Sequence, residues 1–216
     1  MTGPKLDLRG ARVVVIRTGN RAAAVDMARA VVDGGLTAVE ITSTVPGAAD
    51  LVAELANELG DGAVIGAGTV VTRAQAAAFV AAGAAFVVSP YLDRHVVDIA
   101  HARGTPAVPG VMSPTEVATA VDLGVNTVKL FPAATVGPNH LRAIRSVITD
   151  VDVVPTGGIE PDDVVGWLRA GATAVGLGGA FNRAHRRGGY ATVVDEAKRL
   201  CDHVAVHDHV HEGETT

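Results

Sequence analysis

The sequence has one cysteine, few aromatic residues and no excess of positive charge, and these shortages exclude several classes of protein. Cys201 alone cannot form an intramolecular disulfide, which suits a reducing compartment. The chain has 18 Lys and Arg and 23 Asp and Glu, so its net charge is −5. It therefore has no overall positive charge that would attract nucleic acid or an anionic membrane. No apolar run approaches the ~20 residues of a membrane-spanning helix, and the charged amino terminus lacks the apolar stretch of a signal peptide. We therefore expect a cytoplasmic protein with no nucleic-acid or membrane partner.

The apolar residues make up 48% of the 216-residue chain and follow one repeating pattern. Short β-branched runs alternate with Ala-rich amphipathic stretches, and Gly or Pro marks most of the junctions. Strands are predicted at Val13–Arg17, Ala38–Thr42, Ala63–Gly68, Phe86–Pro90, Ala107–Gly110, Thr127–Phe131, Val153–Gly157 and Ala174–Gly178. Helices are predicted near residues 21–33, 47–59, 73–82, 93–103, 114–122, 138–148, 161–170 and 190–204.

This alternation is typical of parallel βαβ units. Eight strands and eight helices without a linker predict one α/β domain, a TIM (β/α)8 barrel, over residues 1–204. An open doubly wound sheet is the alternative, but no G-x-G-x-x-G fingerprint follows the first strand. Residues 205–216 lack helical periodicity and are predicted to form a flexible tail. Its His207, His209 and His211 could capture a metal adventitiously, but we expect no metal site.

Lys129 is the most informative residue at the carboxyl end of a predicted strand, where barrels place their catalytic groups. The chain has 15 Arg and only 3 Lys. Lys5 lies in the leading segment and Lys198 on the last predicted helix, whereas Lys129 lies inside the apolar strand segment TVKLF. Strand alternation directs Val128 and Leu130 outward, under the helices, and Lys129 inward. Burial disfavours the ammonium, and a neutral amine in a pocket can attack a carbonyl to form a Schiff base. A lysine that merely neutralises an interior carboxylate is the alternative, and spacing alone does not separate the two.

Two further charged residues have the same inward parity on neighbouring strands. Glu40 alternates with Val39 and Ile41, and Arg17 ends the first strand. With Lys129 they would combine a nucleophilic amine, a general acid/base and an arginine fork for an anion. A structural ion network filling the barrel is the competing interpretation.

Glycine turns follow the last two predicted strands. Gly157 and Gly158 follow the seventh strand, and Gly178 and Gly179 follow the eighth, where barrels often bind phosphate on backbone N–H groups. Because residues 160–163 are acidic, we expect any phosphate to lie on glycine amides rather than on basic side chains. Tight packing turns would also use glycine at these places.

Seven segments together resemble the class I KDPG/KHG aldolases, which act on 2-keto-3-deoxy-6-phosphogluconate (KDPG) and 4-hydroxy-2-oxoglutarate (KHG). In chain order, they are GGLTAVEITSTVPGA, VIGAGTV, FVVSPYLD, VPGVMSPTE, VKLFPA, VPTGGI and AVGLGGA. They are in unbroken order, and the resemblance covers about residues 10–200, so it is specific. It implies reversible cleavage of a 2-keto-4-hydroxy acid to pyruvate and an aldehyde, without a cofactor, by a homotrimer.

The resemblance also implies a role for each candidate site residue. Lys129 would be the Schiff-base lysine and Glu40 the general acid/base. The substrate-binding residues would be Arg17 and Thr69 for the carboxylate, Pro90 and Phe131 around the imine, and Gly157, Gly158, Gly178 and Gly179 for a phosphate.

Two positions depart from the family pattern. Thr44 stands where some members have an arginine, a contact that Arg17 could replace, and Ala180 stands where a serine often bonds phosphate. The choice between phosphorylated and short substrates therefore stays open. A phosphosugar isomerase or epimerase, and a non-catalytic barrel that binds a keto acid, are the alternative functions.

Overall fold

A computed structural model describes residues 3–10 and 12–212, with side chains through Ala205. Within these ranges, nine strands and eight helices alternate, with short 3₁₀ turns at Gly60–Gly62 and Pro161–Asp163. The strands are β1 (Arg12–Ile16), β2 (Ala38–Thr42), β3 (Val64–Gly68), β4 (Val87–Val88), β5 (Ala107–Val108), β6 (Gly110–Val111), β7 (Thr127–Leu130), β8 (Asp152–Pro155) and β9 (Val175–Leu177). The helices are α1 (Arg21–Asp33), α2 (Ala48–Leu59), α3 (Arg73–Ala81), α4 (Arg94–His101), α5 (Pro114–Asp122), α6 (Ala133–Arg145), α7 (Val164–Arg169) and α8 (Gly179–Glu212).

The strands are parallel throughout and form two hydrogen-bonded sheets. One has the order β5-β4-β3-β2-β1-β9, and the other has the order β6-β7-β8. Pro109, which has no backbone N–H to donate, separates β5 from β6 and divides the single strand predicted there. At the other junction, one bridge joins Thr156 after β8 to Gly176 in β9. The described ladders are therefore those of an α/β fold with open parallel sheets, and the predicted closed ring of strands is not continuous in them.

Side-chain caps begin several of the helices. The side chain of Asn20 accepts from the N–H of Ala23 at the start of α1. At α5, Ser113 and Glu116 form a reciprocal capping box, and Pro114 occupies the first turn. Such caps satisfy N–H groups that have no partner within the helix, so they place each helix start relative to the preceding strand.

The strands separate two apolar layers. Alternate residues such as Val39, Ile41, Val128 and Leu130 pack outward against the helices in the larger core. The residues on the other face form the inner cluster, which consists of Leu8, Val13, Ala38, Phe86, Val88, Val108, Val154 and Ala174. Both faces of the strands are therefore buried, as in sheets covered by crossover helices.

Three helix boundaries differ from the prediction. α6 begins at Ala133 rather than near 138 and has a kink at Gly137. α8 begins at Gly179, although no helix is predicted between residues 171 and 189, and it is kinked at Gly188 and Gly189. It also continues to Glu212, past the predicted start of the tail, while residues 213–216 lie outside the described part. The side chains of the tail histidines lie outside it too. In the described part, no helix has both the length and the apolar character that crossing a membrane requires.

Candidate active site

Lys129 and Glu40 form an ion pair at the centre of the strands. The Nζ atom of Lys129 lies 3.7 Å from Oε1 of Glu40, and the two side chains are only 6% and 3% exposed. Oε1 of Glu40 is buried without a hydrogen-bond partner among the described residues. Nζ also lies 5.2 Å from the ring centre of Phe131. The amine is thus close to one carboxylate without a short hydrogen bond to it.

Strand alternation places the pair, as the sequence predicts. Val128 and Leu130 lie in the outer core, so Lys129 in β7 points to the inner face. Glu40 in β2 has the same parity. The cost of burying two charges is large and is offset only in part by their mutual attraction. A pair buried at this cost is a candidate for function, provided that substrate can reach it.

An open cavity of about 530 Å³ reaches Lys129 from the carboxyl ends of the strands. Its lining combines residues from the strand ends and from α8: Val15, Arg17, Lys129, Phe131, Thr156, Gly157, Gly158, Gly178, Gly179, Asn182, Arg183 and Arg186. The buried amine therefore faces a space large enough for a small organic acid. This access is what distinguishes the pair from a closed structural ion bridge.

Arg17 and Thr69 meet at the edge of this site. Nη2 of Arg17 donates to Oγ1 of Thr69 at 2.8 Å. Thr69 has φ of +55°, a left-handed conformation that a β-branched residue adopts only under constraint. Ser43 contributes to that constraint, because its hydroxyl donates to the carbonyl oxygen of Thr69 at 2.7 Å. The loop after β3 thus holds a hydroxyl and a guanidinium together at one point.

The glycine turns after β8 and β9 form the opposite wall. Gly157 has φ of +98°, and a Cβ on it would lie 2.9 Å from the ring of Phe131. A Cβ on Gly178 would lie 3.1 Å from the carbonyl oxygen of Val15. Backbone N–H groups at such turns can approach an anion closely because no side chain intervenes.

The arrangement can perform carbonyl chemistry without a metal ligand set. It provides a buried amine, a carboxylate within reach of the amine's proton, and an arginine at the cavity mouth. Among the described residues, no group of three or more His, Cys, Asp or Glu side chains could hold a metal ion. Amine attack on a ketone, with proton transfer by the carboxylate, is the chemistry that fits these groups.

Comparison with known proteins identifies the family. Residues 6–195 match the family described as KDPG and KHG aldolase. The chain belongs to this family. Aldolases are carbon–carbon lyases, so the protein is an enzyme of that class.

Relatives and solved structures agree with the family match. The 2-dehydro-3-deoxy-phosphogluconate aldolase of Treponema pallidum (strain Nichols) is 38% identical over 163 residues, which are 74% of this chain and 77% of that protein. The 2-dehydro-3-deoxy-6-phosphogalactonate aldolase of Escherichia coli (strain K12) is 34% identical over 156 residues, 72% of this chain and 76% of that protein. The crystal structure of the Legionella pneumophila KDPG aldolase, with pyruvate captured as a covalent carbinolamine, has a TM-score of 0.81 at 30% identity. That comparison covers 89% of this chain and 95% of the other.

Most of the residues that this aldolase was expected to use lie at the cavity. Lys129, Arg17, Phe131 and the four turn glycines line it directly. Glu40 lies behind Lys129, where both border a small void of about 10 Å³. Thr69 is linked to the cavity through Arg17.

Pro90 and Thr44 lie outside the cavity lining. Pro90 is half-buried, and its carbonyl oxygen would be 2.2 Å from a Cβ on Gly110. Its contact with Gly110 brings the chain after β4 against β6. Thr44, at the place of the missing arginine, shares a 2.7 Å hydroxyl contact with Thr42.

Three polar residues of the site were not predicted from the sequence. Asn182, Arg183 and Arg186 line the cavity from the first turns of α8. The expectation that any phosphate would lie on glycine amides rather than on basic side chains did not take these arginines into account. That expectation was based on the acidic residues 160–163. The basic segment after Ala180 was not considered, because no helix was predicted there. Three arginines within residues 183–187, directly after the last glycine turn, are the signal that could have indicated them.

Proposed function

We propose that this aldolase reversibly cleaves a 2-keto-4-hydroxy acid through a Schiff base on Lys129. The preferred substrate is KDPG, which would give pyruvate and glyceraldehyde 3-phosphate. KHG, which would give pyruvate and glyoxylate, is the second candidate substrate. The observation that carries the proposal is the buried Nζ of Lys129, 3.7 Å from Glu40, at the inner end of an open cavity. The covalent pyruvate adduct of the Legionella relative supports the same chemistry.

The first half of the reaction forms the imine. The neutral amine of Lys129 attacks the C2 carbonyl carbon, and the carbonyl oxygen becomes the hydroxyl of a carbinolamine. One proton moves from the attacking nitrogen to that oxygen. Glu40, which holds the proton that it took from the ammonium of Lys129, then gives that proton to the hydroxyl, which leaves as water. The product is a protonated imine, whose positive charge makes C2 an acceptor of electrons.

The second half breaks the bond between C3 and C4. Glu40, directly or through a water, removes the proton of the C4 hydroxyl, and the new C4 carbonyl leaves as the aldehyde. The electrons of the C3–C4 bond pass to C2 and the imine nitrogen, which gives an enamine. Protonation at C3 and hydrolysis release pyruvate and restore Lys129. Arg17, held by Thr69, would bind the carboxylate of the keto acid throughout.

The remaining features of this enzyme are proposals of the same kind. We propose that the strands close into a (β/α)8 barrel through Pro109 and the bridge between Thr156 and Gly176. The homotrimer implied by the family resemblance and the cytoplasmic location stay predictions. Size-exclusion chromatography with light scattering checks the trimer.

A coupled assay of pyruvate release tests the proposed reaction. We expect pyruvate from KDPG, insensitive to a metal chelator, and no release by Lys129→Ala. Lys198→Ala, which removes an exposed lysine of α8, is the matched control and should keep full activity. Product without pyruvate would favour an isomerase or epimerase, and saturable binding without turnover would favour a keto-acid sensor. Loss of activity on chelation would contradict the metal-free scheme.

A further inference from the structure

Two arginines of α8 line the outer part of the cavity, away from the buried amine. α8 begins directly after β9, and Asn182, Arg183 and Arg186 project from its first turns into the space that Lys129 closes at the inner end. Residues three or four apart lie on one face of a helix, so one face of α8 presents all three. Both arginines are exposed, whereas Lys129 is buried. The cavity therefore runs from a reactive amine to a cationic rim.

The two arginines differ in their partners. Arg183 forms an ion pair with Glu160, at the end of the loop that follows β8. Arg186 has no hydrogen bond or ion pair within the part of the chain that the structure describes, although it faces the cavity. Asn182 donates from Nδ2 to the carbonyl oxygen of Gly178 at 2.9 Å, which ties the first turn of α8 to the glycine turn. A guanidinium that lines a cavity without a partner is available to an anion from solution.

We propose that Arg186, assisted by Arg183, binds the phosphate monoester of the substrate and so makes this aldolase prefer phosphorylated acids. The inference rests on the proposed function and specifies which substrate the site takes. It also accounts for Ala180, because the guanidinium of Arg186, less than two turns further along the same helix, replaces the phosphate contact of a hydroxyl at that position. The N–H groups of the glycine turns would contact the remaining phosphate oxygens.

The position of the two arginines at the exposed end of the cavity favours a phosphate over a second carboxylate. With C2 bound to Lys129, the distal carboxylate of KHG is held only a few bonds from the buried amine. The phosphate of KDPG is several bonds further along the chain, and it can extend toward the exposed rim. A terminal phosphate also carries more charge than a carboxylate and offers a bidentate contact to each guanidinium.

Paired substrates and a matched arginine variant test this assignment. We would compare kcat/KM for KDPG and for its unphosphorylated analogue, 2-keto-3-deoxygluconate, in the parent, Arg186→Ala and Arg187→Ala. Arg187 is a neighbouring exposed arginine that does not line the cavity, so its variant controls for the loss of one charge. We expect Arg186→Ala to lower kcat/KM for KDPG by about 10- to 100-fold, the range for a lost charged hydrogen bond, and to leave the analogue unchanged. Arg187→Ala should change neither, and inhibition by inorganic phosphate should weaken only in Arg186→Ala.

Three outcomes would overturn the inference. These are an unchanged kcat/KM for KDPG in Arg186→Ala, an equal fall for both substrates, and an equal effect of Arg187→Ala. Arg186→Gln, which keeps most of the side chain's bulk, repeats the test if the alanine variant is unstable. Trapping with pyruvate and borohydride distinguishes a failure of this inference from a failure of the proposed function. An adduct in all variants without phosphate discrimination overturns this inference alone, whereas no adduct in the parent overturns the proposed function as well.

Discussion

The carboxylate of Glu40 occupies the space that a side chain on Gly68 would need. A Cβ on Gly68 would lie 1.9 Å from Oε1 of Glu40 and 2.5 Å from its carboxyl carbon. The two residues lie on the adjacent parallel strands β2 and β3, where Gly68 is paired with Thr42. The second glycine of the G-A-G-T segment is therefore explained by the position of the Glu40 carboxylate, and not by a turn.

This relationship predicts that Gly68→Ala disables the enzyme without removing a reactive group. The added methyl would force the carboxylate of Glu40 away from Lys129, so we expect kcat to fall about as far as in Glu40→Gln, by ~100-fold or more. Gly166→Ala is the control, because Gly166 lies exposed in α7 with open space around it. That control should keep its activity and gain about 0.5–1 kcal/mol of stability. Steady-state pyruvate release checks both, and full activity of Gly68→Ala would show that the position of Glu40 is unimportant.

The strained backbone of Thr69 predicts that replacing this residue by glycine lowers activity without lowering stability. Replacement by glycine relieves a conformation that costs about 1–3 kcal/mol in a non-glycine residue, less the ~0.5–1 kcal/mol that glycine loses in chain entropy. Thr69→Gly should therefore unfold in urea no earlier than the parent. It also removes the acceptor of Arg17, so kcat/KM should fall about tenfold. Thr69→Ser keeps that oxygen and should have nearly the activity of the parent. Full activity of the glycine variant would show that Thr69 does not contribute to the site.

Glu160 competes with substrate for Arg183 if the phosphate inference is correct. Glu160→Gln removes the charge that pairs with Arg183. Because both partners are half exposed, the pair contributes only about 0–1 kcal/mol, and stability should hardly change. The KM for KDPG should fall by a few-fold at low ionic strength, and the same substitution in an Arg183→Ala background should have no effect. A higher KM in the single variant would indicate that Glu160 orients Arg183 instead of occupying it.

The capping box of α5 predicts one component of acid sensitivity. The N–H groups of Met112 and Ser113, with the Ser113 hydroxyl, donate to Glu116 and hold the pKa of its carboxyl below its ordinary value of 4.5. A lowered folded pKa means that this contribution is present above about pH 4.5 and is lost as the pH falls through the lower value. Glu116→Gln should cost about 1 kcal/mol near pH 7 and progressively less in acid. Urea denaturation across that range checks this, and a difference that is independent of pH would contradict it.

Periodicity in the sequence was sufficient to predict that Lys129 and Glu40 point to the inner face of the strands. The alternation around Lys129 and Glu40 depends only on the two-residue repeat of a strand, and the outward packing of Val128 and Leu130 confirms it. The bounds of α1 were also predicted correctly, and in the structure Asn20 caps its start and Gly34 stands at its end. Local rules are reliable where a cap or a strand repeat sets the geometry.

The outer part of the site could not be predicted in the same way. The break at Gly188 and Gly189 divides α8, and only its second half carries a clear amphipathic pattern in the sequence. Its first half is short and basic, and it is held by the preceding strand and by contacts such as that of Arg183 with Glu160. Tertiary contacts determine the conformation of such a segment, so the position of these arginines at the cavity could be seen only in the structure.

Reductive trapping of pyruvate tests the central claim most directly. The chain has only three lysines, at positions 5, 129 and 198, so peptide mapping after borohydride treatment separates them. We expect one pyruvate-derived adduct per chain, on the peptide that contains Lys129, and none in Lys129→Ala. An adduct that maps to Lys5 or Lys198, or no adduct in an enzyme that still releases pyruvate, would contradict the account.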